Sequence, residues 1–169
     1  KLFKKITSPL LLSGTTLAIA GLLQLIFIPD LRFLEKFGWD PHYFRTASTF
    51  FDPNFLGAYL VLTLLLIYKR VSRSNLIVNL AAILVFLALL TTFSRGAYLA
   101  FLTSFLTLAI LKKSIKFGVI TLFLFFILIL GFQIYQQIVG KPRNIDRAES
   151  AEVRLTTWQQ GLQIFMMYP

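Results

Sequence analysis

The chain has no cysteine, a single histidine, and only seven acidic residues against 17 basic ones. Without cysteine there are no disulfides, no thiolate nucleophile and no thiolate-ligated metal. With His42 alone, a histidine-built metal site is not expected, and neither a metal nor a cofactor is implied. Charge is scarce: 14% of residues are charged, where soluble domains carry about a quarter. No glycine-rich phosphate loop, no carboxylate pair at a useful helical spacing and no Ser-His-Asp constellation is present. What replaces these features is apolar bulk: 57% hydrophobic residues, 18 Phe and a mean hydropathy of +0.75. That composition reads as a membrane protein. The net charge of +10 does not indicate nucleic acid, because the basic residues sit between apolar runs instead of along one polar face.

Five charge-free runs organise the chain: Ile6–Pro29, Pro53–Tyr68, Ser74–Ser94, Gly96–Leu111 and Phe117–Gly140. About 20 helical residues cross a ~30 Å hydrocarbon core, so the first, third and fifth runs suffice by themselves. The other two need their interfacial ends or a thinned, protein-shielded setting. The expected fold is all-α: a polytopic integral membrane protein in one membrane domain. Its transmembrane helices fall near 6–29, 51–68, 75–94, 96–111 and 117–139. Loops cover 30–50 and 140–153. Leu155, Trp158, Leu162, Phe165 and Met166 recur at helical spacing, so 151–167 reads as an amphipathic helix on the outer face. An incomplete sixth crossing is the alternative. The first run imitates a secretory signal up to Ala18-Ile19-Ala20, but it stays apolar through Leu22–Ile28. The chain starts at Lys1 without Met and reads as a piece of a longer protein.

Charge sign sets the expected orientation. Lys1, Lys4 and Lys5, then Lys69, Arg70 and Arg73, then Lys112, Lys113 and Lys116 form three basic clusters without an acid. All seven acids (Asp30, Glu35, Asp40, Asp52, Asp146, Glu149 and Glu152) fall in the alternate segments. Short Lys/Arg-rich segments stay cytoplasmic. The N-terminus is then inside, as in a multi-pass protein of the cytoplasmic membrane. Residues 30–52, the Ser94-Arg95-Gly96 turn and everything after 140 are outside.

Arg95 is the most informative residue. Two crossings between Arg73 and Lys112 leave almost no loop, which puts Arg95 at a tight outer turn. A guanidinium there fits a phosphate or diphosphate bidentately; it equally fits a snorkelling arginine touching head groups. Asp52-Pro53-Asn54 reads as a helix start, with an Asp N-cap and Pro at the first helical position. That helix end also offers free N–H groups to an anion. Gly57-Ala58-Tyr59-Leu60 is echoed by Gly96-Ala97-Tyr98-Leu99, which fits common packing logic. Arg45, Arg143, Arg147 and Arg154 add outer cations, mostly diluted by acids; Arg154 opens the Trp158-bearing segment. His42 has a reference pKa suited to a general base, but a lone loop histidine is more often incidental.

These segments resemble the O-antigen ligase and polymerase family. Thr49–Leu60 is similar to its T-F-x-N/D-P-N-x-x-A/G-x-x-L segment, and Leu90–Leu99 to its T-x-S-R-G-A-x-L segment. Arg154–Pro169 is similar to its R-x-x-x-W-x-x-x-L-x-x-x-x-x-x-P stretch. Order and expected side agree over roughly residues 40–169. The resemblance implies a membrane glycosyltransferase that takes undecaprenyl-diphosphate-linked glycan as donor. The acceptor would be lipid A core, another glycan or a protein. It assigns diphosphate contacts to Arg95 and Arg154, with Arg45 a weaker third, and it implies catalysis without a metal. The catalytic base it implies is a histidine beyond residue 169, so residues 1–169 alone are expected to be inactive. Two other classes stay open on the residues. A transporter or lipid-carrier flippase would place charges or broken helices at the midplane. A non-catalytic membrane subunit would tolerate exchange of the arginines but not of Gly57 or Gly96.

Overall fold

The computed structural model describes the backbone of residues 2–70, 75–139 and 144–167, and side-chain exposure for 7–70, 75–139 and 155–167. Among the described residues it is all-helical: α1 (Leu2–Phe27), α2 (Pro53–Tyr68), α3 (Leu76–Thr92), α4 (Arg95–Leu111), α5 (Ile115–Val139) and α6 (Asn144–Met167). Short 3₁₀ turns at Arg32–Phe37 and Ser48–Phe50 break the loop between α1 and α2. The chain forms two compact units, Lys1–Tyr135 and Gln136–Pro169.

Local chemistry sets the helix ends. Ile28 precedes Pro29, whose ring disfavours helix in the residue before it, and α1 stops at Phe27. Asp52 caps α2, its Oδ1 accepting from the backbone N–H of Asn54 at 2.6 Å and of Phe55 at 3.4 Å, with Pro53 in the first turn. Asn75 caps α3 through Val78 N at 3.2 Å, and Ser94 caps α4 through Ala97 N at 3.3 Å. Only Phe93 and Ser94 separate α3 from α4. Phe93 takes the left-handed conformation (φ 49°) that reverses the chain. The tight turn expected from the sequence is therefore present, one residue earlier than placed, and Arg95 is the first helical residue of α4.

The apolar runs give helices of unequal length. Thr7–Phe27 and Ile115–Val139 are long and apolar enough to cross a membrane by length and composition. The apolar helices α2, α3 and α4 are shorter, at 16, 17 and 17 residues. The third run was expected to suffice by itself; the Asn75 cap and the left-handed Phe93 trim it to Leu76–Thr92. In the second unit, α6 already starts at Asn144, so the polar stretch read as a loop through 153 is largely helical. Leu155, Trp158, Leu162 and Phe165 on it are exposed.

In the first unit α2 is the packing centre, touching α1, α3 and α4. Leu56, Leu60, Val85, Leu89, Tyr98 and Phe101 are fully buried around it. Gly57 is needed for close approach: a Cβ there would lie 2.6 Å from the Cβ of Ala97 on α4. Gly96, its counterpart in the echo, faces open space, so the two glycines do different things. Polar side chains inside the bundle are satisfied locally, Thr63 by Tyr59 O at 2.8 Å and Thr121 by Phe117 O at 2.9 Å. Large apolar side chains instead point outward along most helices: Phe55, Leu87, Leu99, Phe123 and Phe126 are exposed. A water-soluble monomer does not carry so extensive an apolar surface.

Candidate functional site at the acidic end of the bundle

Charge separates to the two ends of the first unit. At one end Arg70 Nη2 donates to Thr7 Oγ1 and Ser8 Oγ, both at 3.1 Å, and Lys112 Nζ donates to Tyr68 Oη at 2.8 Å. Lys69, Lys113 and Lys116 share that end, and it has no acid. At the other end, acidic in that it holds every acid of the unit, the loop with Asp30, Glu35, Asp40 and Asp52 packs against the α3–α4 turn and Tyr135 of α5; Arg32, Lys36, Arg45 and Arg95 balance those acids. No charged residue among the described ones lies between the two ends, the midplane position a transporter reading requires.

Four contacts build this end. Gln24, on the last turn of α1, accepts at Oε1 from Ala47 N (3.0 Å) and Ser48 N (3.3 Å). Thr46 pairs with Thr91 twice, N–H to carbonyl at 3.0 Å and hydroxyl to hydroxyl at 2.6 Å. Ser94 Oγ donates to Asn54 Oδ1 at 2.8 Å. Tyr135 Oη donates to Tyr43 O at 2.9 Å, with its ring stacked on Phe93 at 4.1 Å. The Asp-Pro-Asn and Thr-x-Ser-Arg-Gly segments, 40 residues apart at the Asn54–Ser94 bond, are thus neighbours in space. The Gly57–Ala97 approach is a second join between them.

The arginines here have different duties. Arg32 is paired with Asp30 through both carboxylate oxygens (2.9 and 2.6 Å) and lies over the Tyr43 ring at 4.7 Å. That pairing holds the exposed Asp30 carboxyl down at about 2. Arg45 is half-buried and caps the end of α3: Nε donates to Thr92 O at 2.8 Å, Nη2 to Phe93 O at 3.4 Å. Burial lowers its pKa and neighbouring Arg95 adds to that, while Tyr135 and Asp52 oppose it; a guanidinium so placed stays charged. Arg95 is exposed and has no hydrogen-bond or ion-pair partner among the described residues. Of these three arginines it alone is uncommitted.

Asp52 caps α2, Pro53 sits in its first turn, and Asn54 also bridges to Ser94. His42 is buried; its backbone oxygen accepts from Leu31 N at 2.9 Å, and its Nε2 has no partner among the described residues. Burial first, then Arg45, push its pKa below the ordinary value, so it is neutral at neutral pH. Arg154 lies within α6, but its side chain, like those of Arg143 and Arg147, is outside the described residues. The structure thus brings Arg45 and Arg95 to one end. Gln24 and Arg32 were not foreseen. Gln24 is the one amide in an apolar run of 24 residues, which was a readable signal. Arg32 had only the Asp two residues before it.

Among the described residues the protein is all-helical; α1 to α5 are apolar with charges only near their ends, and two of them are long and apolar enough to cross a membrane. The family model described as O-antigen ligase matches residues 80–169, more than half of the chain. The chain belongs to the O-antigen ligase family. The matched region contains the α3–α4 turn, Arg95 and Arg154, but not Arg45 or Asp52. No curated protein and no solved structure gives a significant match.

Proposed function

We propose that the chain is the central part of a polytopic glycosyltransferase that receives a lipid-linked glycan on the outer face of the cytoplasmic membrane. In this reading the acidic end of the first unit faces outward and the lysine-rich end faces the cytosol. The short helices α2, α3 and α4 reach across with their polar ends at the interfaces. Arg95 takes the diphosphate of the undecaprenyl-linked donor. As an acceptor hydroxyl oxygen bonds to the anomeric carbon, the bond from that carbon to the diphosphate oxygen breaks. The guanidinium stabilises the negative charge that collects on the leaving diphosphate. The hydroxyl proton goes to a base outside residues 1–169. Arg154 is a second diphosphate contact. Arg45, the weaker third contact, contributes mainly by holding the turn that carries Arg95. The apolar side of α6 lies at the outer membrane surface.

One observation carries the proposal: in a family of glycan ligases, an exposed, unpartnered arginine opens a rigidly capped helix at the acidic end. The test is glycan transfer by the full-length protein carrying Arg95→Lys. Lysine keeps the charge but loses the planar fork. Transfer should fall at least ~100-fold, the usual cost of removing one charge-stabilising donor, with membrane insertion unchanged. Transfer at the wild-type rate in Arg95→Lys and Arg95→Ala would overturn it.

A further inference from the structure

The end opposite Arg95 carries a feature that glycan transfer does not use. Helices α4 and α5 diverge from their short connection to leave an open groove of about 520 Å³. Leu106, Ile110, Val119 and Leu122 wall it, and Lys113 and Ser114 stand where the two helices join. Gly118 lines its floor, and a Cβ there would make an ordinary 3.7 Å contact with the Cβ of Ala109, so a longer side chain would project into the groove. Apolar walls with a cationic mouth match an amphiphile with an anionic head.

Of the three lysines at this end, only Lys113 lines the groove; Lys116 lies in the first turn of α5 beside it. Lys112 is occupied, donating to Tyr68 Oη at 2.8 Å and lying over its ring at 4.4 Å. Lys113 and Lys116 are exposed and have no partner among the described residues. Lys113 sits at a position that favours glycine. Its φ is 51°, and the bonds Lys113 N to Ile110 O (2.9 Å) and Ser114 N to Ala109 O (3.1 Å) close α4 in the turn that glycine usually makes. A lysine held in a strained conformation points to a use for its side chain. No acid occurs between Asp52 and Asp146, so nothing in the sequence nearby competes for these cations.

We infer that the α4–α5 groove is a binding site for an anionic glycerophospholipid, with one acyl chain along Leu106, Ile110, Val119 and Leu122 and the phosphate at Lys113 and Lys116. Basic pockets between membrane helices on the cytoplasmic side bind such head groups. The inference needs the helices to lie in a bilayer but not the donor site at Arg95.

The test is native mass spectrometry of the full-length protein, released from vesicles of equal phosphatidylglycerol and phosphatidylcholine with identical chains. Phosphatidylglycerol should be retained in preference. Each of Lys113→Gln and Lys116→Gln should weaken its retention about fivefold, the usual weight of one surface cation. Gly118→Leu, which fills the groove, should weaken it similarly while glycan transfer and the elution volume match wild type. Soluble glycerol phosphate should not compete at concentrations where the lipid saturates. Equal retention of the two lipids, retention of neither, or lysine variants that match wild type would overturn the site. Sensitivity to the lysines without sensitivity to Gly118→Leu, or displacement by glycerol phosphate, would reduce it to head-group attraction and overturn the groove. Because the readout is lipid retention, a failed Arg95 transfer test leaves it standing, and the reverse.

Discussion

Arg45 and Arg95 sit at the same end of the bundle, and the account separates them by what each touches. Arg45→Gln should loosen the end that Arg95→Gln leaves intact. The Arg45 guanidinium gives one good charge-assisted bond to Thr92 O at 2.8 Å and a longer one to Phe93 O at 3.4 Å. A charge-assisted bond contributes about 1.5–3 kcal/mol, and a cation at a helix C-terminus up to about 1 kcal/mol more. Removing the half-buried charge also removes its desolvation cost, which offsets part of this, so the net loss is about 2 kcal/mol. Glutamine is too short to reach both carbonyls. The amides of Thr46 and Ala47, held by Thr91 O and Gln24 Oε1, report the opening of this end. A loss of about 2 kcal/mol should speed their hydrogen exchange about thirtyfold. Arg95→Gln removes no bond among the described residues, so exchange should stay within about twofold while glycan transfer collapses. Unchanged exchange in Arg45→Gln, or equal acceleration in Arg95→Gln, would refute this division of labour.

Gly57→Val should destabilise the α2–α4 contact by about 1–3 kcal/mol, since even a Cβ lies 2.6 Å from Ala97 Cβ; thermal unfolding in detergent should show it, with partial rescue by Ala97→Gly. Asp52→Ala removes the α2 cap and should cost about 1 kcal/mol, read as faster exchange at Asn54 and Phe55 N–H. The loop at His42 should weaken in mild acid. Its native pKa lies below the ordinary 6.5, so the unfolded loop binds the proton first. Stability is full above that value and falls as the pH drops from it towards the native pKa. Faster exchange of residues 30–43 at about pH 5.5 than at about pH 7.5, corrected for intrinsic rates and abolished by His42→Phe, is the expected result.

Much of this architecture was legible in the sequence. Charge-free runs marked α1 to α5, and the two-crossing argument between Arg73 and Lys112 placed a tight turn at Arg95. Asp52-Pro53 announced its helix start because capping is a local effect. Three things stayed hidden. The left-handed Phe93 shortens α3, and no local rule marks a phenylalanine for that conformation. The capping role of Arg45 depends on α3 arriving beside it, a contact 47 residues away in sequence. Gly57 and Gly96 look alike in their repeated tetrapeptides, and only the α2–α4 approach distinguishes the buried one from the exposed one.

The most direct measurement is the sidedness of the two ends. The chain has no cysteine, so single substitutions report cleanly within it. Gly96→Cys, beside Arg95 and open to the surroundings, should react with a membrane-impermeant maleimide added to intact cells expressing an otherwise cysteine-free full-length protein. Lys113→Cys should react only after the membrane is permeabilised. Labelling of Lys113→Cys from outside with Gly96→Cys protected would put Arg95 on the cytosolic side and contradict the proposed donor site.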